Sequence, residues 1–209
     1  MCIRDSYTNP LSNNGRKVAT VVHHLQLQLD VEVVDLSKGA QRAPEFLAIN
    51  PNGSIPALVD GDLKLWESNA IAAYLADTSG DRSFFPEGPA RYDALRWMFW
   101  EANHWSKPLG TLNFELLLKN MFNMGAPDDA RVQAALNDVR KYSRVLNTQL
   151  TGRAWLLGDN VTVADFMIGA DLTYAAMTGL PVDEFPELAR WLSAINALPA
   201  FVATAPRFG

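Results

Sequence analysis

Glu67 and Ser68 set a carboxylate beside a hydroxyl just before a run of residues with helical spacing. A helix N-terminus attracts an anion through its unpaired N–H groups and its dipole, and a neighbouring carboxylate attracts an ammonium. The pair therefore suits the zwitterionic head of an α-amino acid. Upstream, Ile55-Pro56 opens a short apolar run. A proline there gives up a ladder donor and can hold a cis bond. With that bond cis, the Ile55 N–H and C=O turn outward and can pair with an extended peptide, as an added strand would. A site that pairs with backbone at one end and holds an amino-acid zwitterion at the other suits a γ-glutamyl peptide. Each residue alone also has a plainer reading: Pro56 as an ordinary strand-start proline, Ser68 as a helix cap.

The elements that must position these groups lie in the same stretch, NPNGSIPALVDGDLKLWES, residues 50–68. Asn50-Pro51-Asn52-Gly53 is dense in turn formers. Pro56-Ala57-Leu58-Val59 predicts a buried strand, Asp60-Gly61 a two-residue hairpin turn, and Leu63, Leu65 and Trp66 a return strand. Ser68 then caps a helix with Ala70, Ile71, Tyr74 and Leu75 on its apolar face.

A second hydroxyl stands at a second helix start. The loop Asn9–Gly15 contains Ser12 and precedes a helix with Val18, Val21, Val22 and Leu25 at the spacing of one buried face. A hydroxyl there can donate to a thiolate, which the helix end also favours. Alone, Ser12 is equally a loop or cap serine. Ahead of it, Met1–Ser6 carries two charges where an apolar first strand belongs, which suggests a replaced start such as a cloning or assembly remnant. A strand can still form through Ile3 and Tyr7. Cys2 precedes the loop where the chemistry belongs and reads as structural or incidental. After the helix, 31–36 is β-branched and predicts the second strand, and Pro44-Glu45-Phe46-Leu47 a short helix with proline in its first turn.

The string NPNGSIPALVDG…LWESNAI resembles the glutathione-binding half of the cytosolic glutathione transferases. Ser12-x-x-x-Arg16-Lys17-Val18 is similar to the theta, phi and delta classes, where the serine activates glutathione. Ser-Asn-Asn-Gly-Arg-Lys also resembles the Thr-Pro-Asn-Gly-x-Lys run of bacterial nu-type proteins, where Thr and Asn contact the sulfur; Ser12 and Asn14 fall on those positions. The resemblance implies Ser12 and Asn14 as catalytic groups, Arg16 as structural, Ile55-Pro56 on the cysteinyl backbone, and Glu67 and Ser68 on the γ-glutamyl end. Family members often hold the glycine carboxylate with His or Lys in the loop before the short helix and with Lys, Arg or Gln before Ile-Pro. Here those positions are Gln41 and Ser54, so the charge-assisted contact is weakened, with Lys38 or Arg42 as substitutes.

The resemblance covers 7–206. It implies an α+β thioredoxin-like N-terminal domain (1–80), a linker (81–89) and an all-α helical-bundle C-terminal domain (90–209). Residues 78–89 are rich in Gly, Pro, Ser and Asp, with Phe84-Phe85-Pro86 expected to lock onto a domain surface. The residues beyond predict helix. Residues 91–124 present Leu95, Met98, Phe99 and Ala102, with a kink or split at Pro108-Leu109-Gly110. Residues 129–150 present Val132, Ala135, Leu136, Val139 and Leu146. Thr162 and Asp165 form a capping box, with Val161 and Phe166 at the staple positions. Pro186 starts a final helix and Pro199 ends it. Of the aromatic residues on the first long helix, Trp105 and Phe114 flank the expected kink, where the resemblance implies part of an electrophile pocket.

With 209 residues, 48% hydrophobic and 20% charged, the chain can bury a substantial core. A net charge of −5 offers no basic field for nucleic acid. No apolar run reaches membrane-spanning length and no signal-peptide pattern opens the chain. A single cysteine forms no internal disulfide, which fits a cytoplasmic location. The three histidines lack ligand-like spacing, so no metal is expected, and the absence of a Gly-rich phosphate loop argues against nucleotides. The expected function is conjugation of the glutathione thiolate to a small apolar electrophile by a homodimer, with glutathione as co-substrate. A disulfide or peroxide reductase, an isomerase or lyase on the same fold, and a non-catalytic scaffold are the alternatives.

Overall fold

The computed structural model describes residues 4–207. The chain divides into two compact units, one built from Met1–Phe85 with Leu198–Gly209 and the other from Pro86–Ala197.

In the first unit, β1 (Arg4–Thr8), β2 (Asp30–Val33), β3 (Ala57–Asp60) and β4 (Leu63–Trp66) form one sheet in the order β2-β1-β3-β4. β1 runs parallel to β2, and the other two pairings are antiparallel. The helices are α1 (Asn13–His24), α2 (Pro44–Leu47) and α3 (Ser68–Ser79). The period of two sends neighbouring strand residues to opposite faces. Tyr7 and Ala57, paired in register, share a cluster with Val34 and Phe46, and the Tyr7 and Phe46 rings meet edge-to-face at 6.0 Å. Leu58, opposite Ser6, belongs to the other face; Val18, Val21, Ile71 and Leu75 are buried on the helices. This is a thioredoxin-like arrangement.

β1 forms despite its charges because Arg4 lies opposite Asp60, pairs with its carboxylate and lies 5.7 Å from the centre of the Tyr74 ring. The expected strand residue Ile3, like Met1 and Cys2, lies outside the described residues. The hairpin is one residue later than expected: Asp60 pairs with Leu63, so Gly61-Asp62 is the turn. Gly61 at φ +59° takes the first central position, where a type II′ turn requires glycine. On α3 the buried face is Ile71, Ala72, Leu75 and Ala76; Ala70 is exposed, and Tyr74 is half-buried and donates to Asp60 at 2.8 Å.

The segment expected as linker splits between the units. Asp81 accepts from the Ser83 and Phe84 N–H groups, and Phe84 and Phe85 are buried in the first unit, with Phe84 4.5 Å from the His24 ring. The tail also departs from the expected 90–209 domain. α10 (Pro199–Ala203) belongs to the first unit because the buried Arg16 guanidinium donates to the Phe201 carbonyl at 2.9 Å and lies 5.1 Å from the Phe201 ring. Arg16 is thus an anchor.

In the second unit, helix runs unbroken through Pro89–Met121: α4 (Pro89–Trp100), a π segment (Glu101–Trp105), α5 (Ser106–Leu112), a second π segment (Asn113–Leu118) and α6 (Lys119–Met121). Pro108 does not split it. The ring removes the donor to the preceding turn, and the π segment just upstream accommodates the changed register. The buried face is Ala94, Trp97, Met98 and Trp105, while Phe99 and Ala102 are exposed. α7 (Asp129–Leu150), α8 (Val163–Asp171) and α9 (Pro186–Ala197) complete the unit. α7 buries Val132, Ala135, Val139 and Leu146 as its spacing predicts; Leu136 is half-buried, and Ser143 and Leu150 complete the face. Among the described residues no helix is long and apolar enough to cross a membrane.

Candidate functional site

The first unit brings three segments into play: the start of α1, the loop before β3 and the start of α3. Ser12 is the N-cap of α1 with extended backbone, and its hydroxyl oxygen accepts from the Gly15 N–H at 3.1 Å. An N-cap oxygen that only accepts keeps its own proton to donate. The loop is fixed from behind by Asn9, whose amide donates to the Val34 carbonyl at 3.1 Å and accepts from the Leu11 N–H at 3.0 Å. Gly15 is favoured by space: a Cβ there would clash with the Thr8 hydroxyl oxygen and lie 3.0 Å from the Asn9 carbonyl oxygen. Asn14 is exposed on the first turn, and its Oδ1 accepts from the Lys17 ammonium at 3.1 Å and faces the Ser68 hydroxyl at 3.5 Å. The start of α1 is thereby linked to the start of α3.

The loop before β3 is organised by Asn50. Buried to 2% exposure, it donates to the Ser54 carbonyl at 2.6 Å and accepts from the Asn52 N–H at 3.0 Å. The Ile55-Pro56 bond is cis, and neither backbone polar group of Ile55 pairs with another backbone group among the described residues. A ligand backbone can pair there.

The start of α3 differs from expectation. Ser68 is its first residue and Glu67 takes the cap position, with no side-chain hydrogen bond closing the helix end. The Ser68 and Ala70 N–H groups are therefore left for an anion. Glu67 holds φ +70° and ψ 114°, a backbone state few residues other than glycine adopt, with its carboxylate exposed. Such strain persists where surrounding structure imposes it, commonly at ligand sites.

Gln41 lies in a short 3₁₀ turn, Ala40–Arg42, with Oε1 buried and unpaired. Its carbonyl flanks Gly53, where a Cβ would come within 3.2 Å. Ser54 is exposed, with its hydroxyl on the Asn52 carbonyl at 3.3 Å. Lys38 is exposed and pairs with Asp35 at 3.2 Å, and Arg42 is exposed beside Gln41.

Family models for the glutathione S-transferase N-terminal domain and C-terminal domain match residues 6–77 and 112–199. The chain belongs to the glutathione S-transferase family. It is 36% identical over 205 residues to glutathione S-transferase 3 of Zea mays, covering 95% of this chain and 91% of that one. It is 30% identical to the disulfide-bond oxidoreductase YfcG of Escherichia coli, covering 94% and 91%. The crystal structure of glutathione transferase F7 from Populus trichocarpa superposes with a TM-score of 0.92 at 25% identity, covering 99% of this chain and 100% of that one. The protein is thus a transferase-type enzyme with glutathione as co-substrate, and the chemistry of its first unit fits that molecule: outward backbone at Ile55, an open helix start at Ser68 and an exposed carboxylate at Glu67.

Trp105 and Phe114, which the resemblance implies at an electrophile pocket, make defined contacts within the helical unit of this glutathione S-transferase. Trp105 is fully buried; it stacks on Trp100 at 5.9 Å and donates to the Ile168 carbonyl at 3.4 Å. Phe114 is half-buried, with the Lys119 ammonium 5.8 Å and the Arg131 guanidinium 6.0 Å from its ring centre. Both cations pair with the buried Glu115, so the ring serves that cluster. Lys17 and Asn50 are absent from the sequence candidates. The signal for Lys17 was its place three residues past Asn14 on the same helix face.

Proposed function

We propose that this enzyme conjugates the thiolate of glutathione to small apolar electrophiles. The observation that carries the reading is Ser12, an N-cap whose oxygen is satisfied by Gly15 and whose proton is left to donate. Glutathione would lie with its cysteinyl backbone on Ile55, its γ-glutamyl carboxylate on the open start of α3 at Ser68, its ammonium on Glu67 and its glycine end near Gln41 and Ser54. Ser12 and the α1 start would stabilise the sulfur anion, lowering its pKa toward neutrality. The thiolate attacks the electrophilic carbon, the carbon–sulfur bond forms, and the leaving group departs with its electron pair. The protein supplies orientation and charge stabilisation.

A second reading, disulfide reduction, is favoured by Asn14 standing beside Ser12 on the α1 start and by the similarity to the Escherichia coli oxidoreductase. There the thiolate attacks one sulfur of a disulfide and expels the other as a thiolate. An activity panel with an aromatic halide, a hydroperoxide and a mixed disulfide separates the readings. Dominant turnover of the halide is expected; turnover of the disulfide alone would favour the second. No glutathione binding by calorimetry at millimolar concentration would leave a scaffold. A cytoplasmic homodimer completes the proposal. Tyr92 and Phe99, one heptad apart on α4, are 73% and 65% exposed and suit contact with a second copy. Light scattering at micromolar concentration should give twice the chain mass.

A further inference from the structure

An asparagine amide has two ends of opposite polarity: Oδ1 accepts and Nδ2 donates. Beside a developing thiolate the difference decides the sign of the interaction, because Nδ2 stabilises the anion and Oδ1 repels it. An exposed asparagine on a helix's first turn has little to hold one orientation against the other. Asn14 is in that position, and two donors meet its oxygen. The Lys17 ammonium, which can only donate, lies 3.1 Å from Oδ1, and the Ser68 hydroxyl lies 3.5 Å from it. Lys17 is 1% exposed, so its charge is held inside the protein beside the amide. A planar amide pinned by its oxygen holds Nδ2 on the other arm of its fork, roughly 120° away at Cγ. Nδ2 has no partner among the described residues, and the Ser12 hydroxyl proton is unspent at the same helix end.

We infer that Lys17 is a positioning residue: its buried ammonium holds the Asn14 amide oxygen inward so that the amide N–H groups, rather than the oxygen, face the glutathione sulfur. This rests on the reading of the α1 start as the sulfur site. Ser12 then supplies one donor to the thiolate and Asn14 a second. Lys17 acts through Asn14 without touching the substrate, so its removal affects the anion more than the binding of the peptide frame.

The test titrates the ultraviolet absorbance of the thiolate of glutathione bound to the full chain, beside the pH dependence of kcat and KM. Lys17→Met should raise the thiol pKa by about one unit and lower kcat near neutrality about tenfold, with KM for glutathione little changed. Lys17→Arg, which keeps a donor, should recover most of the loss. In an Asn14→Ala background, Lys17→Met should add little further change, because the two residues act as one unit. A Lys17→Met shift as large in that background as in the wild type overturns the inference, as does a folded Lys17→Met protein with the wild-type pKa. Should Lys17→Met fail to fold, Asn14→Asp keeps the contact with Lys17 while removing the amide donors and must raise the pKa; an unchanged value overturns the inference. A wild-type enzyme that binds glutathione with a solution-like thiol pKa instead overturns the sulfur-site reading, and the inference with it.

Discussion

The helices α8 and α3 begin with the same unpaired backbone N–H groups, and the chain treats them in opposite ways. At α8 the end is closed. Thr162 and Asp165 form a reciprocal capping box, and the buried Asp165 carboxylate accepts from four donors: the Leu156 N–H, the Thr162 N–H, the Thr162 hydroxyl and the Trp191 indole N–H. Burial pushes this carboxyl pKa up, and the four hydrogen bonds pull against that rise. At α3 the end is open: no side chain caps it, and Glu67 is held at positive φ with its carboxylate toward water. A saturated helix start serves folding alone, because nothing is left to bind. An unsaturated, strained one costs stability and leaves donors for a ligand.

Breaking the closed start should have the largest effect. Asp165→Ala strands four buried donors and should destabilise the protein by more than about 3 kcal/mol in urea unfolding, where each unpaired buried group costs about 1–3 kcal/mol. A loss below about 1 kcal/mol would mean the donors find other partners and would remove the contrast with α3.

At the open start the effect should fall on binding. Glu67→Ala should cost about 1.5–3 kcal/mol of glutathione affinity by calorimetry, the range for a charge-assisted hydrogen bond, with the unfolding midpoint unchanged. Unaltered affinity would remove Glu67 from the site. The α1 start lies between the extremes, since Ser12 both caps and is left with a proton. Ser12→Ala should raise the pKa of bound glutathione by about one to two units. It should also lower stability by about 1 kcal/mol through the lost cap. If only stability moves, Ser12 is a cap and nothing more.

Glu67→Gly sharpens the comparison from the other side. Glycine tolerates the positive φ, so this variant should gain about 1 kcal/mol of stability while losing glutathione, whereas Glu67→Ala gains none. The smallest effect concerns how α3 is held once its start is left open. Tyr74 donates to Asp60, and with Arg4 this keeps the Asp60 carboxyl below its usual range. A carboxyl whose folded pKa is depressed adds stability above its unfolded value, about 3.9, and loses it as pH falls through the folded value. Tyr74→Phe should therefore lower the urea midpoint at neutral pH by the equivalent of about 1 kcal/mol or less, with the gap closing in acid. A gap that persists in acid would assign the effect to packing.

The segments that differ from the sequence reading differ for local reasons. Gly61 and not Asp60 leads the hairpin, because the register of β3 on β4 pairs Asp60 with Leu63. Ser68 is the first helical residue, since Glu67 accepts the left-handed backbone that spacing cannot reveal. For Trp105 and Phe114, which flank the expected kink at Pro108, the resemblance implies a pocket. Whether an aromatic ring on a helix faces a core, a ligand or a cation depends on what packs opposite it, and here that is Ile168 for one and Lys119 with Arg131 for the other.

By itself the sequence determined the two-part architecture, the cis proline segment, the Ser12 cap and the Thr162–Asp165 box, because each depends on residues close together in the chain. Turn chemistry, capping spacing and helical or strand periodicity act over a few residues and leave their mark there. Only the tertiary structure decided that α10 returns to the first unit through Arg16, that α3 is left uncapped, and that Lys17 and Ser68 meet on Asn14. Arg16 and Phe201 are nearly a chain length apart, and Asn14 and Ser68 stand on different helices. Such contacts exist only once the sheet has set α1 and α3 side by side.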